Sequence, residues 1–201
     1  MLDAIPFTKS LVMDMEVWHW ETTRMAYAAT TYWYARPGAT SNRGPAPEEA
    51  ARPIPGPYVV AGALEGEQLA TIEKTGGIVE TQRGDPLGWS NDAQLWWRDG
   101  TPGERLILAV PVKDAGRYRI LARFTKARDY GIFRFVLADT PLGGELDFYS
   151  PNVADSGEIE LGTRELAAGT ARLEAVIAGA NKDAEPRHML GLDYVRLERV
   201  Q

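Results

Sequence analysis

The chemistry in this sequence is concentrated in three acids. Glu65 and Glu67 sit two residues apart in the stretch Ala63-Leu64-Glu65-Gly66-Glu67-Gln68-Leu69, and Asp193 stands alone in the apolar run at 189–197. Side chains two apart on a strand share a face, so Glu65 and Glu67 are expected side by side. Like charges that close repel unless a cation or a donor lies between them. Three hard oxygen donors, on what read as the first and last strands of one domain, suit Ca²⁺, which takes about 6–8 oxygens. An ion there would be structural, tying the first strand to the last. The plain alternative is three solvated carboxylates, although acids inside apolar strands are uncommon.

A second set of residues suits sugars, which stack their C–H faces on aromatic rings while amides read their hydroxyls. Trp89 and Tyr130 stand beside Gly88 and Gly131 in loop-like stretches, and Asn181 lies in a polar loop before the last strand. Trp96 and Trp97 are adjacent, so on a strand they face opposite ways and at least one belongs to a core. The alternative for all five is that they are core or hydrogen-bonded loop residues.

Catalysis has less to stand on. Asp14 and Glu16 share a face, with Glu21 and His19 near, and a glycosidase needs two carboxyl groups about 5–9.5 Å apart. There is no Ser-His-Asp order, phosphate loop or HExxH, and His188 reads as a lone loop histidine. No catalytic residue is assigned.

The elements that must position these groups read as all-β. Residues 11–17 alternate, with Leu11, Met13, Met15 and Val17 on one face, and 25–34 form a second aromatic strand carrying Tyr32, Trp33 and Tyr34. Two strands bury too little to stand alone, so this arm (residues 1–34) must pack on something else. A strap rich in Pro and Gly follows over 35–57, where no ladder can run. From 58 to 201 short strands recur with turn signals at roughly 8–12-residue spacing, the pattern of a β-sandwich. Strands are expected at 78–81, 93–97, 105–112, 117–124, 131–137, 146–149, 159–166, 171–178 and 191–200, with turns at Gly143-Gly144 and at 167–169.

Composition narrows the partners. With 22 Lys and Arg against 28 Asp and Glu the net charge is −6, which argues against nucleic acid and against an acidic membrane surface. There is no Cys, so disulfides and thiolate chemistry are excluded, and 44% hydrophobic residues suffice for a core. No apolar run approaches a membrane span, and residues 1–10 show no signal-peptide pattern, so the reading is a soluble chain whose compartment is open. An extracellular place would require processing.

Two resemblances follow. Residues 65–197 resemble the jelly-roll carbohydrate-binding modules of families 6 and 35. The marks are Glu65-Gly66-Glu67, Asp114-Ala115-Gly116-Arg117-Tyr118, Leu166-Ala167-Ala168-Gly169 and Gly191-Leu192-Asp193-Tyr194-Val195-Arg196-Leu197. The resemblance implies that Glu65, Glu67 and Asp193 hold a structural calcium. Residues 5–34 are similar to the last strands of glycoside hydrolase family 172 (domain of unknown function 2961), through Ile5-Pro6-Phe7-Thr8-Lys9-Ser10, Met15-Glu16-Val17-Trp18-His19-Trp20 and Tyr32-Trp33-Tyr34. That likeness implies the tail of a trimeric glycosidase whose catalytic acids lie mostly upstream. Two functions are therefore expected in competition: a non-catalytic glycan-binding module, or a self-assembling subunit whose arm adds strands to another copy, giving a homo-oligomer or filament. Glycosidase activity from the acids of the arm is a third.

Overall fold

Alternating apolar and polar residues, punctuated by turns, build two antiparallel sheets that face each other across one core. The computed structural model describes residues 5–14, 16, 33–41, 48, 51, 53, 56–84 and 87–200. The chain divides into two compact units, Met1–Gly56 and Pro57–Gln201.

The second unit is the sandwich, as its strand pattern requires. One sheet runs β3 (Ile78–Arg83), β4 (Ala93–Arg98), β11 (Leu190–Arg199), β6 (Gly116–Lys126) and β9 (Ala154–Leu166), with the short β1 (Ala63–Glu65) also paired to β11. The other runs β2 (Thr71–Lys74), β5 (Arg105–Val112), β10 (Gly169–Ala180), β7 (Gly131–Leu137) and β8 (Thr140–Asp147). Their inner faces supply the core, from Leu95 and Trp97 on β4 and Ile120 and Phe124 on β6 to Leu108 on β5 and Phe133 and Phe135 on β7. Phe124, Phe133, Phe135 and Phe148 form an aromatic cluster, with Phe124 and Phe148 centred 4.6 Å apart. Tilted packing of this kind adds to simple burial.

The strands expected at 146–149 and 159–166 begin earlier, at Thr140 and Ala154, and two further details differ from the sequence expectation. The β7–β8 hairpin turns at Ala138-Asp139, both with positive φ, and not at Gly143-Gly144. Gly143 lies inside β8, where the pairing skips from Leu142 to Leu146, so the two glycines make a bulge. β2 is the other difference: it is short, sits at a sheet edge and has no alternating apolar pattern to announce it.

In the first unit, residues 11–14 and 33–34 belong to no strand, so the strand pair expected for the arm is not seen over them. Leu11, Met13, Trp33 and Tyr34 are exposed. Met15, Val17 and Tyr32 lie outside the described residues, as do His19 and Glu21. A β-turn at Pro37-Gly38, closed by the Ala39 N–H on the Arg36 carbonyl, opens the strap. Among the described residues no helix is long and apolar enough to cross a membrane.

Candidate functional site

β1 ends at Glu65, and the chain turns at once into a 3-10 turn, Gly66–Gln68. Glu65 and Glu67 are thus not successive same-face residues of one strand, which corrects the alternation argument. The cause is packing: a Cβ on residue 66 would stand 2.2 Å from the Leu192 carbonyl oxygen, so only glycine lets β1 close on β11 there. The turn nonetheless keeps the two carboxylates electrostatically coupled.

Asp193 enters from the other side. It occupies a bulge in β11, between the pairs Leu192–Phe124 and Tyr194–Arg123, and is wholly buried. Ser90 links the acids: its main-chain N–H donates to Asp193 Oδ1 at 2.9 Å and its hydroxyl to Glu65 Oε1 at 2.7 Å. Asn91 Nδ2 donates to Glu67 Oε1 at 2.8 Å. The loop that carries them bends through left-handed Asn91 and Asp92, a conformation these residue types tolerate. Arg123 completes the cluster, with Nη1 on Asp193 Oδ2 at 2.8 Å and Nε and Nη2 on Asp155. The same guanidinium donates to the Leu87 and Gly88 carbonyls.

These contacts set the protonation. Burial pushes Asp193 up to about 7, against the pull of Arg123 and the Ser90 N–H. Glu65 is raised as well, by burial first and by Glu67, while the Ser90 hydrogen bond opposes the shift. Glu65 Oε2 and Glu67 Oε2 are buried and have no hydrogen-bond partner. Anionic oxygens in that condition fit a hard cation. Asp193 fits less well, because both of its oxygens are engaged. Among the described residues, no three His, Cys, Asp or Glu side chains group closely enough to hold an ion by themselves.

The five residues proposed for sugar contact divide. Trp89 is buried, its Nε1 donating to Thr125 Oγ1 at 3.0 Å, and Thr125 in turn donates to Gln94 Oε1 at 2.7 Å. Tyr130 is buried too, hydrogen-bonded to Gln94, and burial pushes its phenol up to about 12. Trp89 and Tyr130 are therefore brought together through Gln94, but as an internal brace and not as a platform. Trp97 is core, with Nε1 on the Gly76 carbonyl. The corrections at Trp89 and Tyr130 share one reason: a ring beside a glycine reads as exposed, whereas both rings fold inward; Trp97 is the member of the adjacent pair that belongs to the core, as alternation required of at least one. Trp96 faces the other way, half-buried, with the Arg98 guanidinium 5.4 Å from its ring centre.

Asn181 is half-buried at one end of the sandwich. There the 127–130, 148–153 and 181–189 loops converge, joined by main-chain bonds such as Glu185 N–H to the Arg128 carbonyl and Ser150 N–H to the Ala127 carbonyl. Asn181 Nδ2 donates to Asp147 Oδ2 at 2.5 Å, and the Tyr149 N–H donates to Asp147 Oδ1 at 2.9 Å. Tyr149 itself is half-buried. The cluster thus sets an amide and a carboxylate beside the Tyr149 main chain, on loops that reach solvent.

No protein-family model matches the chain, and no curated protein matches its sequence. Solved structures do. The chain is similar to a Paenibacillus xanthan lyase, with a TM-score of 0.63 and 19% identity over 73% of this chain and 14% of that one. It spans, in other words, about one seventh of that enzyme, and the likeness is one of fold. It is also similar to a family 35 carbohydrate-binding module from Clostridium thermocellum, with a TM-score of 0.44 and 15% identity, over 69% of this chain and 97% of that module.

Sequence reasoning missed Ser90, Arg123, Asp147 and Tyr149. Ser90-Asn91-Asp92 does carry turn chemistry that could have marked a loop ordered by side chains. Arg123 had no such mark, being one of several outward arginines on β6.

Proposed function

We propose that residues 57–201 form a non-catalytic carbohydrate-binding-type module. The observation that carries this reading is the Asn181–Asp147 pair, held beside Tyr149 where three loops converge on a rigid sandwich. An amide and a carboxylate present both donors and acceptors to vicinal hydroxyls, and sites of this kind need a few fixed polar groups on a stable scaffold. The test is a labelled glycan panel followed by Asn181→Ala. The expected result is at least about tenfold weaker binding, roughly 1.4 kcal/mol, with an unchanged melting temperature. A panel with no ligand, or an Asn181→Ala variant that binds as well as the native protein, overturns the reading.

The proposal has two further parts. The resemblance of residues 5–34 to the end of a family 172 jelly roll supports an origin in the tail of such a glycosidase. The partnerless oxygens of Glu65 and Glu67 support a structural divalent cation, Ca²⁺ by their hardness, with main-chain carbonyls and water completing its shell. Such an ion would hold β1 and its 3-10 turn against β11. A second reading, assembly through the arm, is favoured by the exposure of Leu11, Val12, Met13, Trp33 and Tyr34 in the first unit.

A further inference from the structure

We infer that Arg123 serves as a permanent internal cation for Asp193, so that the exchangeable ion is held by Glu65 and Glu67 without the Asp193 carboxylate. This rests on the cation reading given above and gives the reason that Asp193 stands outside its ligand set. The geometry is direct. Asp193 has two oxygens: one accepts the Ser90 main-chain N–H at 2.9 Å and the other accepts Arg123 Nη1 at 2.8 Å. Glu65 and Glu67 each keep one oxygen that is buried and has no partner. The two kinds of acid therefore need different things.

Arg123 is built into this position and does not merely lie across it. Its side chain is 13% exposed and its fork also holds the Leu87 and Gly88 carbonyls, so it locks the loop that brings Ser90 and Asn91 to the acids. Asp155, its other partner, is at the solvent edge. A guanidinium stays charged at every physiological pH and cannot exchange. Charge then decides the remaining occupant. Arg123 is the counter-ion of Asp193 and Asp155, and among the described residues no ion pair reaches Glu65 or Glu67, so one divalent cation between those two would neutralise their two charges. An ion drawn to Asp193 as well would stand against the Arg123 charge, which disfavours it.

The division of labour has a consequence. The tie between the first and last strands has a fixed half, through Ser90 and Arg123, and an exchangeable half at Glu65 and Glu67. Removing the ion should loosen the Gly66–Gln68 turn while the Asp193 end stays closed.

The experiment is Ca²⁺ titration calorimetry on the full chain and on two variants. Asp193→Asn should keep the affinity within about threefold, while Glu67→Gln should weaken it at least about thirtyfold. A folded Asp193→Asn variant that has lost Ca²⁺ binding overturns the inference and leaves the cation reading standing. Native protein that binds no Ca²⁺ overturns both. Should Asp193→Asn fail to fold, carboxyl ¹³C spectra of the native protein decide. Ca²⁺ should move the Glu65 and Glu67 signals and leave that of Asp193 in place, and an Asp193 signal that moves with them counts against the inference.

Discussion

Arg123 Nη1 lies 2.8 Å from Asp193 Oδ2, and the carboxylate it meets is wholly buried. A buried pair of this kind need not add net stability, because both charges were taken from water to make it. Breaking it from one side is a different matter. Arg123→Met would leave Asp193 buried with only the Ser90 N–H, and would release the Leu87 and Gly88 carbonyls. The expected loss is about 3–5 kcal/mol, read from urea unfolding. A loss under about 1 kcal/mol would mean that the pair behaves like an ordinary surface contact.

Gly66 is the next point at which the sequence admits one solution. A Cβ there meets the Leu192 carbonyl oxygen at 2.2 Å and the Asp193 carbonyl oxygen at 3.0 Å. Backbone cannot swing aside as a side chain can, so Gly66→Ala must push β1 away from β11. Thermal or urea unfolding should show a cost of roughly 1–3 kcal/mol. Cation affinity should fall with it, since the same shift separates Glu65 from Glu67. A variant as stable as the native chain would show that β1 packs less closely than described.

Glu158 offers a pH-dependent contrast. Its two oxygens accept Arg196 Nε at 2.8 Å and Nη2 at 2.6 Å, and that hydrogen bonding holds its carboxyl below the usual glutamate range. A folded-state value below the unfolded one means that the unfolded chain takes up the proton first as pH falls. The contribution is therefore complete above the ordinary glutamate range and is lost as pH drops through the folded-state value. Both side chains are 28% exposed, so its size is modest, about 0.5–1 kcal/mol. Glu158→Gln should cost that much near neutral pH and almost nothing once the pH lies well below the folded-state value. An equal cost at both would remove the electrostatic explanation.

How much of this was legible from residues alone depended on whether one rule acted at a time. β5 and β7 follow their sequence patterns to the residue, because apolar runs or alternation end at clear turn signals. Gly143-Gly144 misled because glycine serves bulges as well as turns, while Ala138-Asp139 turned the chain without any glycine. The acids Glu65, Glu67 and Asp193 do come to one region. What could not be read was the partner of each: Ser90 is 25 residues from Glu65 and 103 from Asp193, and such pairings are set by loop closure, not by local pattern. Trp89 shows the same limit, since its inward turn is held by Thr125, 36 residues along the chain.

The arm gives the last prediction. Leu11 is 45%, Val12 81% and Tyr34 94% exposed, beside Met13 and Trp33. Apolar surface left in water forgoes about 25 cal/mol for each Å² that could be buried. Several large side chains in one unit therefore favour association, and an extended segment can supply it by pairing with a sheet edge. Among the described residues the buried core lies within Pro57–Gln201. Light scattering at micromolar concentration should accordingly find the intact chain as an oligomer. Deleting residues 1–34 should leave a monomer whose melting temperature lies within a few degrees of the native value, about the shift that 1 kcal/mol would cause. An intact chain that scatters as a monomer sinks the assembly reading. A truncated chain that fails to fold would show that the arm completes the sandwich of its own chain instead.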